Sequence, residues 1–181
     1  MLLNKITKLL AVLLLVLCWT VAFAGDDEEG WYGRPGIESV SNSVYQQECG
    51  ACHFPYQPGL LPARSWEKIL ADLENHFGED ASLDPAVVAG LKDYVTRHAA
   101  DNTDFRRSRT IARSLGRNEV PSKITELRYF KHEHREIPRR MYKDNDRVRS
   151  LSNCNSCHTT AAKGNYSERG INIPGFGYWE E

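Results

Sequence analysis

The stretches Cys49-Gly50-Ala51-Cys52-His53 and Cys154-Asn155-Ser156-Cys157-His158 share the pattern Cys-x-x-Cys-His, which decides how the rest of the chain is interpreted. Two residues between the cysteines place both sulfurs on one side of a helical turn, within reach of the two vinyl groups of one porphyrin. The next histidine then lies beneath the iron as the proximal ligand. The sequence therefore predicts two covalently bound c-type haems. Their attachment residues are Cys49, Cys52, Cys154 and Cys157, and their proximal ligands are His53 and His158.

Other uses of paired cysteines explain this pattern less well. A single Cys-x-x-Cys can be a redox dithiol, two of them can form a four-thiolate zinc site, and an even set of cysteines can form disulfides. None of these alternatives requires a histidine directly after the second cysteine of each pair. We therefore favour haem attachment at both motifs.

Residues 1–24 have the features of a secretory signal peptide. Two lysines precede an apolar run at 9–21, and Ala22-Phe23-Ala24 is a small-x-small cleavage pattern. The acidic stretch at 25–29 indicates an exposed new terminus rather than a retained membrane anchor. Cys18 follows a leucine instead of a small residue, which disfavours lipid attachment. We expect export to the periplasm and no membrane span after processing.

The composition excludes several classes of protein. With 41% hydrophobic and 26% charged residues, the chain has ordinary globular composition, which argues against disorder, collagen and coiled-coil arrays. Cleavage after Ala24 leaves 157 residues, with 21 Lys and Arg against 24 Asp and Glu, a formal charge of −3. We therefore do not expect a nucleic-acid partner.

Apolar periodicity predicts a mainly α-helical first half. The apolar positions of 37–45 predict an amphipathic helix that leads into the first motif. Ser65 is the expected N-cap of a second helix, whose apolar stripe extends to Phe77. Asp84 followed by proline predicts the start of a final helix, with His98 in its last turn. This order of helix, haem motif, loop, helix and final helix resembles a small cytochrome c fold.

We divide the processed chain into three segments. Residues 25–100 form the cytochrome c-like domain with the first haem, 101–120 a basic connecting segment, and 121–181 a smaller, loop-rich domain with the second haem. A short helix from Asp146 is expected to lead into the second motif. The arginines of the connecting segment are interpreted as a solvated charged face, and the alternative is that one or two of them bind haem propionates. These arginines are Arg106, Arg107, Arg109, Arg113 and Arg117.

Each iron needs a sixth ligand unless it binds exogenous molecules. The candidates in the processed chain are His76, His98, His132, His134 and Met141. For the first haem, the distance in sequence from His53 favours neither His76 nor His98. His76 lies beside a predicted helix end. His98 lies in the last turn of a predicted helix, where a favourable interaction with the helix dipole already explains a histidine. For the second haem, His132 and His134 would lie on the same side of an extended chain, and only one of them can bind the iron.

Several further elements resemble the bacterial dihaem cytochrome c family of small periplasmic carriers. Beside the two haem motifs, they include Tyr56-Gln57-Pro58-Gly59-Leu60-Leu61-Pro62, Trp66 through His76-Phe77-Gly78, Ala81-Ser82-Leu83, Ile124-Thr125-Glu126-Leu127, His134-Arg135-Glu136-Ile137-Pro138 and Ile173-Pro174. The resemblance implies low-spin haems with histidine on both faces. It selects His76 for the first iron and His134 for the second, and it ranks His98, His132 and Met141 lower. It also implies, for some members, a small oxygen-binding c-type cytochrome as redox partner.

The leading functional prediction is a one-electron carrier without catalytic activity, with both irons six-coordinate. Its partners would be other redox proteins, such as that small oxygen-binding cytochrome or a membrane cytochrome. The alternative is a small dihaem enzyme, a peroxidase or a nitrogen-oxide reductase, in which one iron keeps an open position. A chain of 157 residues leaves little room for a distal pocket beside two haems. A haem-based sensor would need an output module, and the sequence gives no sign of one.

Overall fold

The computed structural model describes residues 35–179, which belong to the unit Pro35–Glu181. The predicted signal peptide lies outside the described residues. The described α-helices are α1 Ser43–Gly50, α2 Ala63–Leu70, α3 Pro85–Arg97, α4 Arg106–Ser114, α5 Arg128–Glu133, α6 Arg139–Tyr142 and α7 Cys154–Cys157. This confirms the predicted mainly α fold. Among these helices, none combines the length and the apolar character needed to cross a membrane.

Helix α1 begins later than the sequence predicts. The side chain of Asn42 accepts a hydrogen bond from the backbone N–H of Tyr45 at 2.8 Å, which caps the helix and places Ile37 and Val40 before it. Ile37 is buried in the hydrophobic core all the same, and its N–H donates to the carbonyl of Gly164 at 3.1 Å. The apolar residues of 37–45 therefore belong to an extended segment and a helix, not to one helix.

The predicted second helix was wrong at both ends. Helix α2 follows Pro62, and Ser65 lies inside it, fully buried, instead of capping it. The helix stops at Leu70, and a 3₁₀ turn, Leu73–Asn75, redirects the chain. Phe77 then has a φ of +58° and is 54% exposed, so it does not continue the apolar stripe of α2. Its left-handed conformation is incompatible with a continuing α-helix.

Helix α3 begins as predicted. Asp84 accepts a hydrogen bond from the N–H of Ala86 at 2.8 Å, and Pro85 occupies the first helical position, where no backbone donor is needed. The helix ends at Arg97, directly before His98. It packs against α2 through a face that buries Leu91, Tyr94 and Val95.

One hydrophobic core draws on both halves of the chain. Its buried side chains include Ile37, Leu61 and Leu91 before the arginine-rich segment and Leu127 and Phe130 after it. The segment itself contains helix α4, whose Ile111 is 1% exposed and joins the same core. The segment predicted to be a connection therefore also contributes to the hydrophobic core. The domain boundaries at residues 100 and 120 stay a prediction.

The helix predicted from Asp146 is absent, because turns occupy residues 146–152 and Arg149 has a φ of +66°. Only the motif itself is helical, as α7. Beyond it, strand β1 (Asn172–Ile173) pairs antiparallel with β2 (Gly177–Tyr178), with Asn172 opposite Tyr178 and Ile173 opposite Gly177. The second motif thus lies among turns and a short hairpin, as the prediction of a loop-rich C-terminal part requires.

Candidate haem sites

The first site forms where α1 ends. Cys49 lies in the last turn of α1 and is half-buried, whereas Cys52 and His53 follow the helix and are exposed. The 3₁₀ turn after α2 brings His76 opposite His53. The centroids of these two imidazole rings are 6.2 Å apart, and their planes differ by 15°. The structure thus brings together Cys49, Cys52, His53 and His76, which are all four residues that the sequence analysis assigns to the first haem.

The separation of these rings suits one metal ion between them. A bond of about 2.0 Å from metal to imidazole nitrogen, with roughly 1.1 Å from that nitrogen to the ring centroid, gives about 6.2 Å for two opposed imidazoles. Nδ1 of His53 donates to the carbonyl of Phe54 at 2.8 Å, which leaves Nε2 as the nitrogen available to a metal. Burial and the neighbouring His53 lower the pKa of His76, which favours the neutral form of its ring.

The turn that carries His76 is held by backbone contacts. The N–H of Ala81 donates to the carbonyl of Leu73 at 2.9 Å, and the N–H of Glu79 donates to the carbonyl of His76 at 3.2 Å. Gly78, with a φ of +101°, allows the chain to reverse without the steric cost of a Cβ. The His-Phe-Gly element is therefore a tight turn that presents one imidazole.

The second site is an open cleft. Its wall includes Cys154, Cys157 and His158 from the second motif and, across from them, His134. Its lining also includes Leu127, Tyr129, Phe130, Met141, Tyr166 and Arg107. The ring centroids of His134 and His158 are 6.1 Å apart, and the ring planes cross at 72°. This separation again suits one metal ion between two imidazoles.

Both histidines of the second site are suited to bind a metal as neutral ligands. Burial lowers the pKa of His158 to about 4, with smaller contributions from the nearby His134 and Arg107. Burial also lowers the pKa of His134, whose Nδ1 donates to the carbonyl of Phe130 at 2.9 Å. Nδ1 of His158 is buried without a hydrogen-bond partner. Neutral imidazoles keep the nitrogen lone pair that a metal requires.

The lower-ranked candidates lie in three different environments. His132 has a side chain 71% exposed, bonds to Arg135 and does not line the cleft. Because α5 is helical up to Glu133, positions two apart face nearly opposite directions, and our expectation that His132 and His134 share a side was wrong. Met141 lines the cleft. His98 is bonded to Glu38 at 2.8 Å, apart from both imidazole pairs.

One arginine of the connecting segment reaches the second site. Arg107 lies on the cleft wall and donates to the hydroxyl of Tyr129 at 2.5 Å and to the carbonyl of Tyr166 at 3.3 Å. Its side chain also pairs with Glu133 at 3.4 Å. The remaining arginines of that segment, Arg106, Arg109, Arg113 and Arg117, are exposed, as a solvated face requires. Arg107 lies four residues before the buried Ile111, so both are on the same face of α4. This spacing is the sequence signal that distinguishes Arg107 from the other arginines of the segment.

None of the four cysteines in residues 35–179 is joined to another in a disulfide. Over residues 35–179 no group of three or more His, Cys, Asp or Glu side chains is arranged to hold a metal ion by itself. Each cysteine pair instead lies beside one pair of opposed imidazoles. This combination of two thiols and two axial imidazoles fits a covalently attached haem at each site.

Sequence reasoning did not identify Gln57 and Tyr166 as residues of these sites. The hydroxyl of Tyr166 donates to the side-chain oxygen of Gln57 at 2.5 Å, and the Tyr166 ring lies 5.2 Å from the ring of His158. The two partners are 109 positions apart in the chain. Gln57 lies in a stretch that resembles the family, but the resemblance does not indicate its contact with Tyr166.

Comparison with known proteins identifies the family of this chain. The family model for dihaem cytochrome c matches residues 45–166. A dihaem cytochrome c structure from Shewanella baltica OS155 is 45% identical, with a TM-score of 0.64, and the match covers 77% of this chain and 98% of that one. A dihaem cytochrome c structure from Rhodobacter sphaeroides is 42% identical, with a TM-score of 0.64, over 72% of this chain and 100% of that one. No curated protein matches the chain. The chain therefore belongs to the dihaem cytochrome c family and is a c-type cytochrome with two haem groups.

Proposed function

We propose that the protein is a periplasmic one-electron carrier in which both irons are bound by two histidines, His53 with His76 and His134 with His158. The observation that carries this proposal is the spacing of the two imidazole pairs, 6.2 Å and 6.1 Å between ring centroids. If each pair fills both axial positions of one haem, neither iron retains a position for substrate. Electron exchange without bond-making chemistry is then the function that remains.

The bound haem supplies a reversible one-electron change at its iron, and the residues of the chain determine how readily it occurs. His53 and His134 each donate from Nδ1 to a backbone carbonyl, which fixes the ring orientation and strengthens the nitrogen that faces the metal. Apolar side chains around the second site, such as Leu127 and Phe130, exclude water. Two histidine ligands also imply a lower potential than a histidine and methionine pair.

The two Cys-x-x-Cys-His motifs support covalent attachment of both haems. Cys49 and Cys52 would form the thioethers of the first haem, and Cys154 and Cys157 those of the second. The signal-peptide pattern of residues 1–24 supports export before attachment. The periplasm is therefore the compartment that we propose.

The proposed partners are other redox proteins, either a small oxygen-binding c-type cytochrome or a membrane cytochrome. Asp72, Glu74, Glu79 and Asp80 surround His76 in sequence and are exposed, so a cationic partner surface would be attracted there. Oxidation of the reduced protein by such a cytochrome should slow as ionic strength rises. A rate that is independent of salt would contradict this contact.

Ligand binding to the reduced protein distinguishes the carrier from the enzyme alternative. A peroxidase or a nitrogen-oxide reductase requires an iron that small molecules can reach. Stopped-flow mixing with carbon monoxide, peroxide and nitrite should therefore show no rapid change in the haem spectrum. Rapid carbon monoxide binding at one haem would overturn the carrier assignment and favour the enzyme.

A further inference from the structure

Two adjacent residues, Tyr56 and Gln57, connect the first haem motif with the second. They follow the first motif directly in the loop after His53. Tyr56 contacts the segment before the second motif, and Gln57 contacts the segment after it. From the first haem site, Tyr56 and Gln57 therefore contact the segments on both sides of α7, the helix of the second motif.

Tyr56 is fixed at three points. Its ring stacks on the ring of His53, with centroids 5.0 Å apart and planes 24° apart. Its hydroxyl donates to the carbonyl of Ser152 at 2.9 Å, and its own carbonyl accepts from the hydroxyl of the buried Tyr45 at 2.7 Å. The same Ser152 carbonyl accepts from the backbone N–H of Cys154 at 3.0 Å. One phenol thus joins the first proximal histidine to the first attachment cysteine of the second site.

Gln57 makes the corresponding connection on the other flank. Its side chain is fully buried, at 0% exposure, and both ends of the amide are used. The amide nitrogen donates to the carbonyl of Ala161 at 2.6 Å, and the amide oxygen accepts from the hydroxyl of Tyr166 at 2.5 Å. The Tyr166 ring meets the ring of His158 at 65°. A buried amide is tolerated only when it is hydrogen-bonded, so these contacts hold Tyr166 firmly against His158.

We propose that Tyr56 and Gln57 are positioning residues that couple the two haem sites, one through Ser152 to Cys154 and the other through Tyr166 to His158. This inference rests on the proposed function, because it assumes that His53 and His158 ligate the irons. The contacts of Tyr56 and Gln57 with the second site join residues about a hundred positions apart in sequence. Removal of the hydroxyl oxygen of Tyr56, a residue beside the first motif, should therefore change the environment of the second haem.

Electron paramagnetic resonance of the fully oxidised protein tests this coupling, because each low-spin haem gives its own signal. Tyr56→Phe removes the bond to Ser152 and keeps the ring that stacks on His53. We expect a shift of the g values of the second haem, with the signal of the first retained. Gln57→Leu releases Tyr166 and should also shift the second signal. The matched control is Tyr94→Phe, which removes a phenol oxygen that accepts from the N–H of Ser41 at 3.2 Å. It should leave both signals unchanged.

The results separate the two levels of the argument. If the wild-type protein lacks two low-spin signals, the proposed coordination is wrong. If both signals are present but Tyr56→Phe matches the control, or shifts the first haem alone, the coupling is wrong. Should Tyr56→Phe fail to accumulate with two haems, Gln57→Leu decides, and an unchanged second signal in that variant overturns the proposal.

Discussion

The imidazole rings of His134 and His158 oppose each other across the second site at 6.1 Å, and their planes cross at 72°. The corresponding rings of the first site are almost parallel, at 15°. The two sites therefore have similar ligand spacing and different ligand orientation. With two histidines at each iron, this orientation is the difference that spectroscopy can detect.

We predict two different low-spin ferric signals. Two parallel imidazole planes interact with the same d orbital of the iron and separate its energy from that of a second d orbital. Two crossed planes interact with one of these orbitals each, so the two orbitals stay close in energy. The first haem should therefore give an ordinary rhombic spectrum, and the second a more anisotropic one. Low-temperature electron paramagnetic resonance of the oxidised protein measures this. Two identical signals would show that the bound rings do not keep these orientations.

For the first haem, His76→Ala is expected to open one axial position. The ferrous haem should become high-spin and bind carbon monoxide, because the ring opposite His53 has been removed. The control is His98→Ala, which breaks a half-exposed contact with Glu38. It should keep the low-spin spectrum and lower the free energy of unfolding by about 1 kcal/mol or less. The opposite pattern in the visible spectra would assign the iron to His98.

The two histidines near the second haem should behave differently. His134→Ala removes a ring 6.1 Å from His158 and should make the second haem high-spin, whereas His132→Ala changes an exposed side chain outside the cleft. Met141 lines the same cleft and is the nearby candidate to replace a missing ligand. A low-spin spectrum in His134→Ala that is lost in His134→Ala with Met141→Ala would show such a replacement. High-spin haem in His132→Ala would contradict our assignment.

Attachment of the second haem should depend on its own cysteines. A double variant, Cys154→Ser with Cys157→Ser, lacks the thiols that form thioethers, so it should carry one covalent haem instead of two. Intact mass under denaturing conditions measures the number directly. The wild-type chain should have the mass of the processed polypeptide plus two haems, and a wild-type mass without haem would refute covalent attachment.

Gly164 should be one of the glycines least tolerant of substitution. It has a φ of +71°, and a Cβ there would lie 2.0 Å from the carbonyl oxygen of Ile37. We expect Gly164→Ala to lower the free energy of unfolding by about 2 kcal/mol or more. Gly90 is exposed within α3 and has open space around it, so Gly90→Ala should instead stabilise by about 0.5–1 kcal/mol. Denaturant unfolding of the two holoproteins compares them, and equal stabilities would contradict the predicted clash.

The chemistry of the haem sites could be predicted from local sequence patterns. Each Cys-x-x-Cys-His motif is local, because the two sulfurs and the imidazole must meet the same porphyrin within about one helical turn. The N-cap at Asp84 could be predicted as well, because it depends on a hydrogen bond from the N–H of Ala86, only two residues along the chain. Where the sequence failed, as with Ser65 and the supposed helix through Phe77, a proline before the helix and a left-handed turn after it overrode the apolar pattern.

The tertiary structure alone decided which residues meet across the fold. The opposition of His134 to His158, the position of Arg107 on the cleft wall and the contact of Gln57 with Tyr166 all join distant parts of the chain. Such contacts depend on how helices and turns pack around a common core, and periodicity within one segment does not report that packing. Local sequence patterns therefore specified where each haem is attached, and long-range packing specified how the two sites are closed and connected.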